Sequence, residues 1–134
     1  MDQIAKALAL KFLSSVPTVP ILPGIFHLTF LVNPGVAFGL LRGQPLTVAV
    51  GTGLIILALV WSATHPGAQE KQTRWTALSL GLILGGAAGN LIDRLRFGGV
   101  IDFLDFRIWP VFNVADSCLT IGAALLAISF WRKG

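Results

Sequence analysis

Three stretches of this chain, residues 45 to 63, 75 to 92 and 117 to 131, contain no Asp, Glu, Lys or Arg. A helix rises about 1.5 Å per residue, so each is close to the length that crosses a hydrocarbon core of about 30 Å, the last with one more turn. A chain organised around such segments is predicted to fold in lipid, as an all-α membrane bundle forming a single domain over residues 1–134. Composition agrees: 54% of the residues are hydrophobic and 12% charged, against about 25% charged in soluble domains. The tryptophans also agree. Trp61, Trp75, Trp109 and Trp131 all lie at or near the ends of these stretches, where an indole buries its ring and keeps its N–H wet.

Around the spans, placed at about 45–63, 75–95 and 114–131, the remaining chain reads as short elements. Residues 2–14 are predicted as a short apolar helix in which Asp2 and Lys6, four apart, share a face and pair. Pro17, Pro20 and Pro23 make Ser14 to Gly24 a loop or an extended segment. From Ile25 to Val32 the apolar residues Phe26, Leu28, Phe30 and Val32 recur at period two, the signal of a strand. Asn33-Pro34-Gly35 then turns the chain, and Val36 to Leu41 resumes an apolar run. A small β element over about 25–42, lying at the membrane surface, is expected. In the second span Gly81, Gly85 and Gly89 recur at every fourth position. Such a stripe is expected to admit a close-packed neighbouring backbone.

The formal net charge of +4 does not point to nucleic acid, because the basic residues are scattered and form no stripe. Nor does charge orient the bundle. Lys71, Arg74, Arg132 and Lys133 flank one side, and Arg42, Arg94, Arg96 and Arg107 the other. Cys118 stands alone in an apolar stretch, so no disulfide within the chain is possible, and a small buried hydrophobe is expected.

Of six acidic residues, Asp93, Asp102, Asp105 and Asp116 fall between positions 93 and 116, at the junction of the last two spans. Asp116 heads an apolar helix, where an unpaired carboxylate costs on the order of a few kcal/mol. Two carboxylates held close cannot both ionise cheaply, so such a pair keeps one proton near neutral pH. That is the electrostatic basis of an aspartic-peptidase dyad, with Asp116 as one member. Spacing alone does not choose between Asp102 and Asp105 as the other. Competing chemistries are poorly supplied. His27 and His65 are far apart, Cys118 is single, no glycine-rich loop precedes a helix with Lys, and no Ser has a His or Lys at a telling spacing. No metal and no cofactor are expected.

Five blocks of this sequence resemble the signature of the lipoprotein signal peptidases (signal peptidase II): Asp2-Gln3-Ile4-Ala5-Lys6, Asn33-Pro34-Gly35-Val36-Ala37-Phe38, Gly85 to Arg94, Val100-Ile101-Asp102-Phe103, and Phe112-Asn113-Val114-Ala115-Asp116. The resemblance implies a four-helix membrane aspartic endopeptidase with a small extracytoplasmic β element. Such an enzyme cuts a prolipoprotein just before its diacylglyceryl-modified cysteine, near the outer face of a bacterial-type cytoplasmic (inner) membrane. It implies Asp102 and Asp116 as the catalytic pair, with Asn33, Asn90, Asp93, Arg94 and Asn113 lining or bracing the site and Asp2 with Lys6 supporting it. It places both termini and the 64–74 loop in the cytoplasm. The partners it implies are prolipoprotein substrates and membrane lipid, to a monomer. In that family a full transmembrane helix leads into the Asp-x-x-x-Lys block, whereas here Met1 directly precedes Asp2; the first helix is short, and the natural chain is expected to begin upstream. Two other functions compete: an intramembrane proton or ion relay built on Asp93, Asp102 and Asp116, and an inactive binder of lipidated peptides.

Overall fold

The computed structural model describes residues 1–35, 44–65 and 73–131. Four helices and one three-stranded sheet occupy these residues: α1 (Asp2–Leu13), β1 (Val19–Leu22), β2 (Phe26–Asn33), α2 (Pro45–Thr64), α3 (Arg74–Phe97), β3 (Val100–Asp105) and α4 (Val114–Trp131). Of the predicted β element, residues 36–42, with the Val36 to Leu41 run, lie outside the described residues. So do Val36, Ala37 and Phe38 of the second signature block, and most of the 64–74 loop.

The helix boundaries follow from local chemistry. Pro45 opens α2 at a position whose N–H has no helical partner. Thr73 caps α3, its hydroxyl accepting the Thr76 N–H at 3.2 Å. Gly98 ends α3 at φ 69°, and its N–H donates to the Arg94 carbonyl at 3.0 Å. That left-handed residue turns the chain directly into β3. α2 and α3 contain stretches long and apolar enough to cross a bilayer, and α4 holds a shorter apolar stretch, Val114–Ser129.

The sheet runs β1-β2-β3, antiparallel throughout. β1 forms within the proline-broken segment, and Pro20 is tolerated because β1 is an edge strand. One face of the sheet covers α1: Ala9 and Leu13 pack with Ile101 and Phe103, and Leu28 and Phe30 close over them. β3 was not anticipated. Nearly every residue of it is buried, because both faces are covered, so the polar-apolar alternation that marks a half-exposed strand is absent.

The glycine stripe also needs correction. Gly81 and Gly85 have no neighbour within 4 Å of a would-be Cβ among the described residues, and Gly89 meets the Asp2 carboxylate rather than a helix backbone. The close approach between α3 and α4 occurs at Gly86, where a Cβ would stand 2.6 Å from the Ala115 carbonyl, and at Gly122, where it would stand 2.9 Å from that of Ser79. The contact line on α3 follows Ser79, Ile83, Gly86 and Asn90, alternating steps of four and three as paired helices require. A stripe repeating strictly every four residues runs off that line.

Candidate active site

Asp102 sits on β3 opposite Leu31 and is 2% exposed. Its Oδ1 accepts from Asn113 Nδ2 at 2.6 Å and its Oδ2 from Asn33 Nδ2 at 3.3 Å. Asn33 is the last residue of β2, so the register of the β2–β3 pair delivers its amide to this carboxylate. Asp116 lies in the first turn of α4. Asn113, the residue before that helix, caps it: its Oδ1 accepts the Asp116 N–H at 2.9 Å, while Asp116 Oδ2 accepts the Asn113 N–H at 3.2 Å. This reciprocal arrangement is a capping box. Asn113 therefore serves as helix cap for one aspartate and hydrogen-bond donor to the other.

Asp116 Oδ1 receives the third amide of the site, Asn90 Nδ2, at 2.8 Å. Behind Asn90 stands Lys6, 2% exposed, whose ammonium donates to Asn90 Oδ1 at 2.8 Å and forms ion pairs with Asp2 at 3.0 Å and Asp93 at 2.8 Å. The pairing of Asp2 with Lys6 expected from their spacing is thus present. Asp93, fully buried, also accepts the Ile101 N–H at 3.0 Å and so ties α3 to β3 beside Asp102. Asp2 accepts the Ala115 N–H at 2.9 Å. Gln3, which sequence reasoning passed over, donates to Asp93 at 2.9 Å and to the Gly89 carbonyl at 3.1 Å. Its one sequence signal was its place beside Asp2 on a face turned toward the bundle. Every buried side-chain polar atom among the described residues has a partner, as such a network requires.

The two aspartates open onto one cavity of about 370 Å³, with Asn33, Asn90 and Arg94 on its polar side. Arg94 donates to the Asn90 and Gly35 carbonyls, each at 3.4 Å. Asp93, Asn113, Asp2 and Lys6 brace these residues from behind. An apolar wall, Trp109 to Phe112, completes the cavity. Sequence reasoning had read Trp109 only as part of an aromatic belt. The wall is held by Phe112 pairing back onto Leu104, with N–H···O bonds of 2.8 and 3.0 Å.

Burial pushes the Asp102 carboxyl up to about 7, and the charge of Asp116 adds to the rise; the Asn113 and Asn33 amides and Lys6 oppose it. Asp105 behaves in the opposite way. Burial acts to raise it, but the Arg107 N–H, the Thr29 hydroxyl and the Arg107 guanidinium, at 2.8, 2.8 and 3.0 Å, outweigh burial and hold it below the usual carboxylate range. It takes no part in lining the cavity. Among the described residues no group of three or more His, Cys, Asp or Glu side chains is placed to hold a metal ion.

The model of the signal peptidase (SPase) II family matches residues 1–132. This chain belongs to the signal peptidase II family. Similar relatives include the lipoprotein signal peptidase of Halothermothrix orenii, 45% identical over 99% of this chain and 89% of that protein, and that of Pelotomaculum thermopropionicum, 44% identical over 95% and 82%. Among solved structures, a bacterial membrane enzyme determined at 2.3 Å superposes with a TM-score of 0.86 at 31% identity, covering 98% of this chain and 80% of its own. A second, at 1.9 Å, gives 0.84, also at 31% identity, over 99% and 86%. Membership in the signal peptidase II family makes the chain a peptidase. The cavity between β3 and α4, where Asp102 and Asp116 meet, is then the place to look for its chemistry.

Proposed function

We propose that this chain is a membrane aspartic endopeptidase that removes the signal peptide of prolipoproteins, cutting before the diacylglyceryl-modified cysteine, with Asp102 and Asp116 as its catalytic pair. One observation carries the reading: two carboxylates share a cavity through the single side chain of Asn113, and one of them, Asp102, is raised to about 7. Near neutral pH Asp102 then retains a proton, which assigns it the role of acid in this reading and leaves Asp116 the role of base. Asp116 takes a proton from water as the water oxygen bonds to the scissile carbonyl carbon. Asp102 donates its hydrogen to the carbonyl oxygen, where negative charge develops. As the C–N bond breaks, the proton taken by Asp116 passes to the leaving amine, and the hydroxyl formed from the carbonyl returns its proton to Asp102 as the new carboxyl group forms.

Asn33 supports Asp102, Asn90 supports Asp116, and Arg94 on the cavity lining faces both aspartates. The acyl groups of the substrate and the long apolar faces of α2 and α3 favour a site in the membrane. A relay across the bilayer has less support. Residues 45 to 63 and 75 to 92 offer no ionisable group to carry a proton onward from the acid cluster.

The test is to incubate the detergent-purified chain with a diacylglyceryl-modified prolipoprotein and weigh the products, with Asp102→Asn and Asp116→Asn run beside it. Cleavage immediately before the lipidated cysteine, lost in both variants while their folding is kept, is the expected result. Turnover persisting in either variant contradicts the dyad. No cleavage by the folded parent contradicts the peptidase assignment of this site.

A further inference from the structure

The ammonium of Lys6 has three hydrogens and no acceptor. Two point to the carboxylates of Asp2, within α1, and of Asp93, an ion pair that holds α1 against α3. The third points to Asn90 Oδ1 at 2.8 Å. An asparagine amide presents an oxygen on one side and an NH2 on the other, and the two orientations are nearly identical in shape. Only a partner's chemistry can choose between them. Because Lys6 is a donor alone, the side of Asn90 facing it must be the oxygen, and Nδ2 is turned onto Asp116 Oδ1 at 2.8 Å. The reverse orientation would set NH2 against NH3⁺ on one side and oxygen against carboxylate oxygen on the other. The Asn113 amide is fixed independently. Its Oδ1 is taken by the Asp116 N–H, which leaves Nδ2 for Asp102 at 2.6 Å and for Asn90 Oδ1 at 3.2 Å.

We propose that Lys6 is a positioning residue for the hydrolytic step: by fixing the amide of Asn90 it keeps an N–H donor on Asp116, and so holds that side chain in the orientation in which it takes the proton of the attacking water. This inference rests on the aspartic-peptidase reading above and adds to it a reason for a buried cation well behind the cavity. The charged groups around Asp116 come from every element packed there: Asp2 and Lys6 from α1, Asp93 and Arg94 from α3, and Asp102 from β3.

The double variant Lys6→Met with Asp2→Asn removes one charge of each sign, so the local net charge is unchanged while the clamp on Asn90 is lost. An amide at position 2 can still accept the Ala115 N–H. In the full chain, kcat is expected to fall on the order of 10²-fold, with KM within about twofold of the parent's. A parent-like kcat overturns the proposal. So does a loss of kcat/KM carried mainly by KM, the mark of a lysine that only shapes the cavity.

Should the double variant not fold, the parent decides the matter. The side-chain amide resonance of Asn90 in the ¹⁵N-labelled protein, identified by its absence from Asn90→Ser, is expected to shift when Asp116→Asn is introduced. A resonance that stays in place overturns the proposal. This measurement needs no turnover, so an inactive parent counts against the peptidase reading alone and leaves the role of Lys6 to be judged by the amide.

Discussion

Asp102 and Asp105 lie three positions apart on one strand, and side chains alternate along a strand, so an odd offset sends them to opposite faces. One opens onto the cavity; the other is absorbed by Thr29 and Arg107. That distinction was invisible while the segment was read simply as a junction between spans, since the rule applies only once β3 is known to be a strand. Asp116 was more legible, because a carboxylate at the head of an apolar helix asks for an explanation wherever the rest of the chain goes.

The raised value of Asp102 carries two consequences with definite signs. Activity needs its proton, so kcat/KM is expected to fall on the alkaline side with a midpoint near 7, measured with saturating detergent and a neutral substrate. Stability responds as well. Asp102 binds its proton more tightly in the folded state than in the unfolded, so the chain loses stability as pH rises from the ordinary carboxylate range to about 7. Above that the full cost, on the order of a few kcal/mol, is present. Asp102→Asn removes it, and is expected to raise Tm at pH 8 while leaving Tm at pH 4 nearly unchanged. An equal Tm shift at both values would contradict the burial of a titrating group there.

At the scale of elements, charge-free stretches made the long helices legible because lipid-facing helices must exclude ionised groups over their whole length. The sheet was half legible. β2 alternates, and was read from its alternation; β3 is buried on both faces and shows no period to read. Helix packing was the least legible, since it depends on which face of α3 meets α4, and neighbouring glycines differ by about 100° around the axis. Gly85 and Gly86 make the point testable with one methyl group each. Gly85→Ala places its Cβ in open space and is expected to be neutral, or to stabilise by up to about 1 kcal/mol through helix propensity. Gly86→Ala drives its Cβ against the Ala115 carbonyl, and is expected to cost about 1–3 kcal/mol. Because Asn90 and Asp116 belong to these same two helices, Gly86→Ala should also slow cleavage, whereas Gly85→Ala should not. Thermal unfolding in detergent beside the cleavage assay checks both; equal effects of the two substitutions would contradict the helix contact described.

Across the whole molecule, polarity is arranged the opposite way from a soluble protein. The deeply buried side chains include Lys6, Asn90, Asp93, Asp102 and Asn113, while Leu46, Leu54, Ile55 and Leu57 of α2 are more than half exposed. Water would not tolerate that surface, and lipid would. Orientation in the membrane is a separate matter, which the nearly even distribution of basic residues left undecided. Geometry gives the separation by which it can be tested. α3, with 24 residues, is about 36 Å long, and it carries the site at its C-terminal end, so the chain near His65 and Arg74 lies a membrane's thickness away from Asp102. If the site faces outward, Ile108, 94% exposed on the loop between β3 and α4, lies outside and His65 inside. In a Cys118→Ala background, Ile108→Cys is expected to react with a membrane-impermeant maleimide added to intact cells, and His65→Cys only after the membrane is opened. The converse pattern would turn the molecule over and deliver its peptidase site to the cytoplasm, where an enzyme acting on exported lipoproteins would have no substrate to meet.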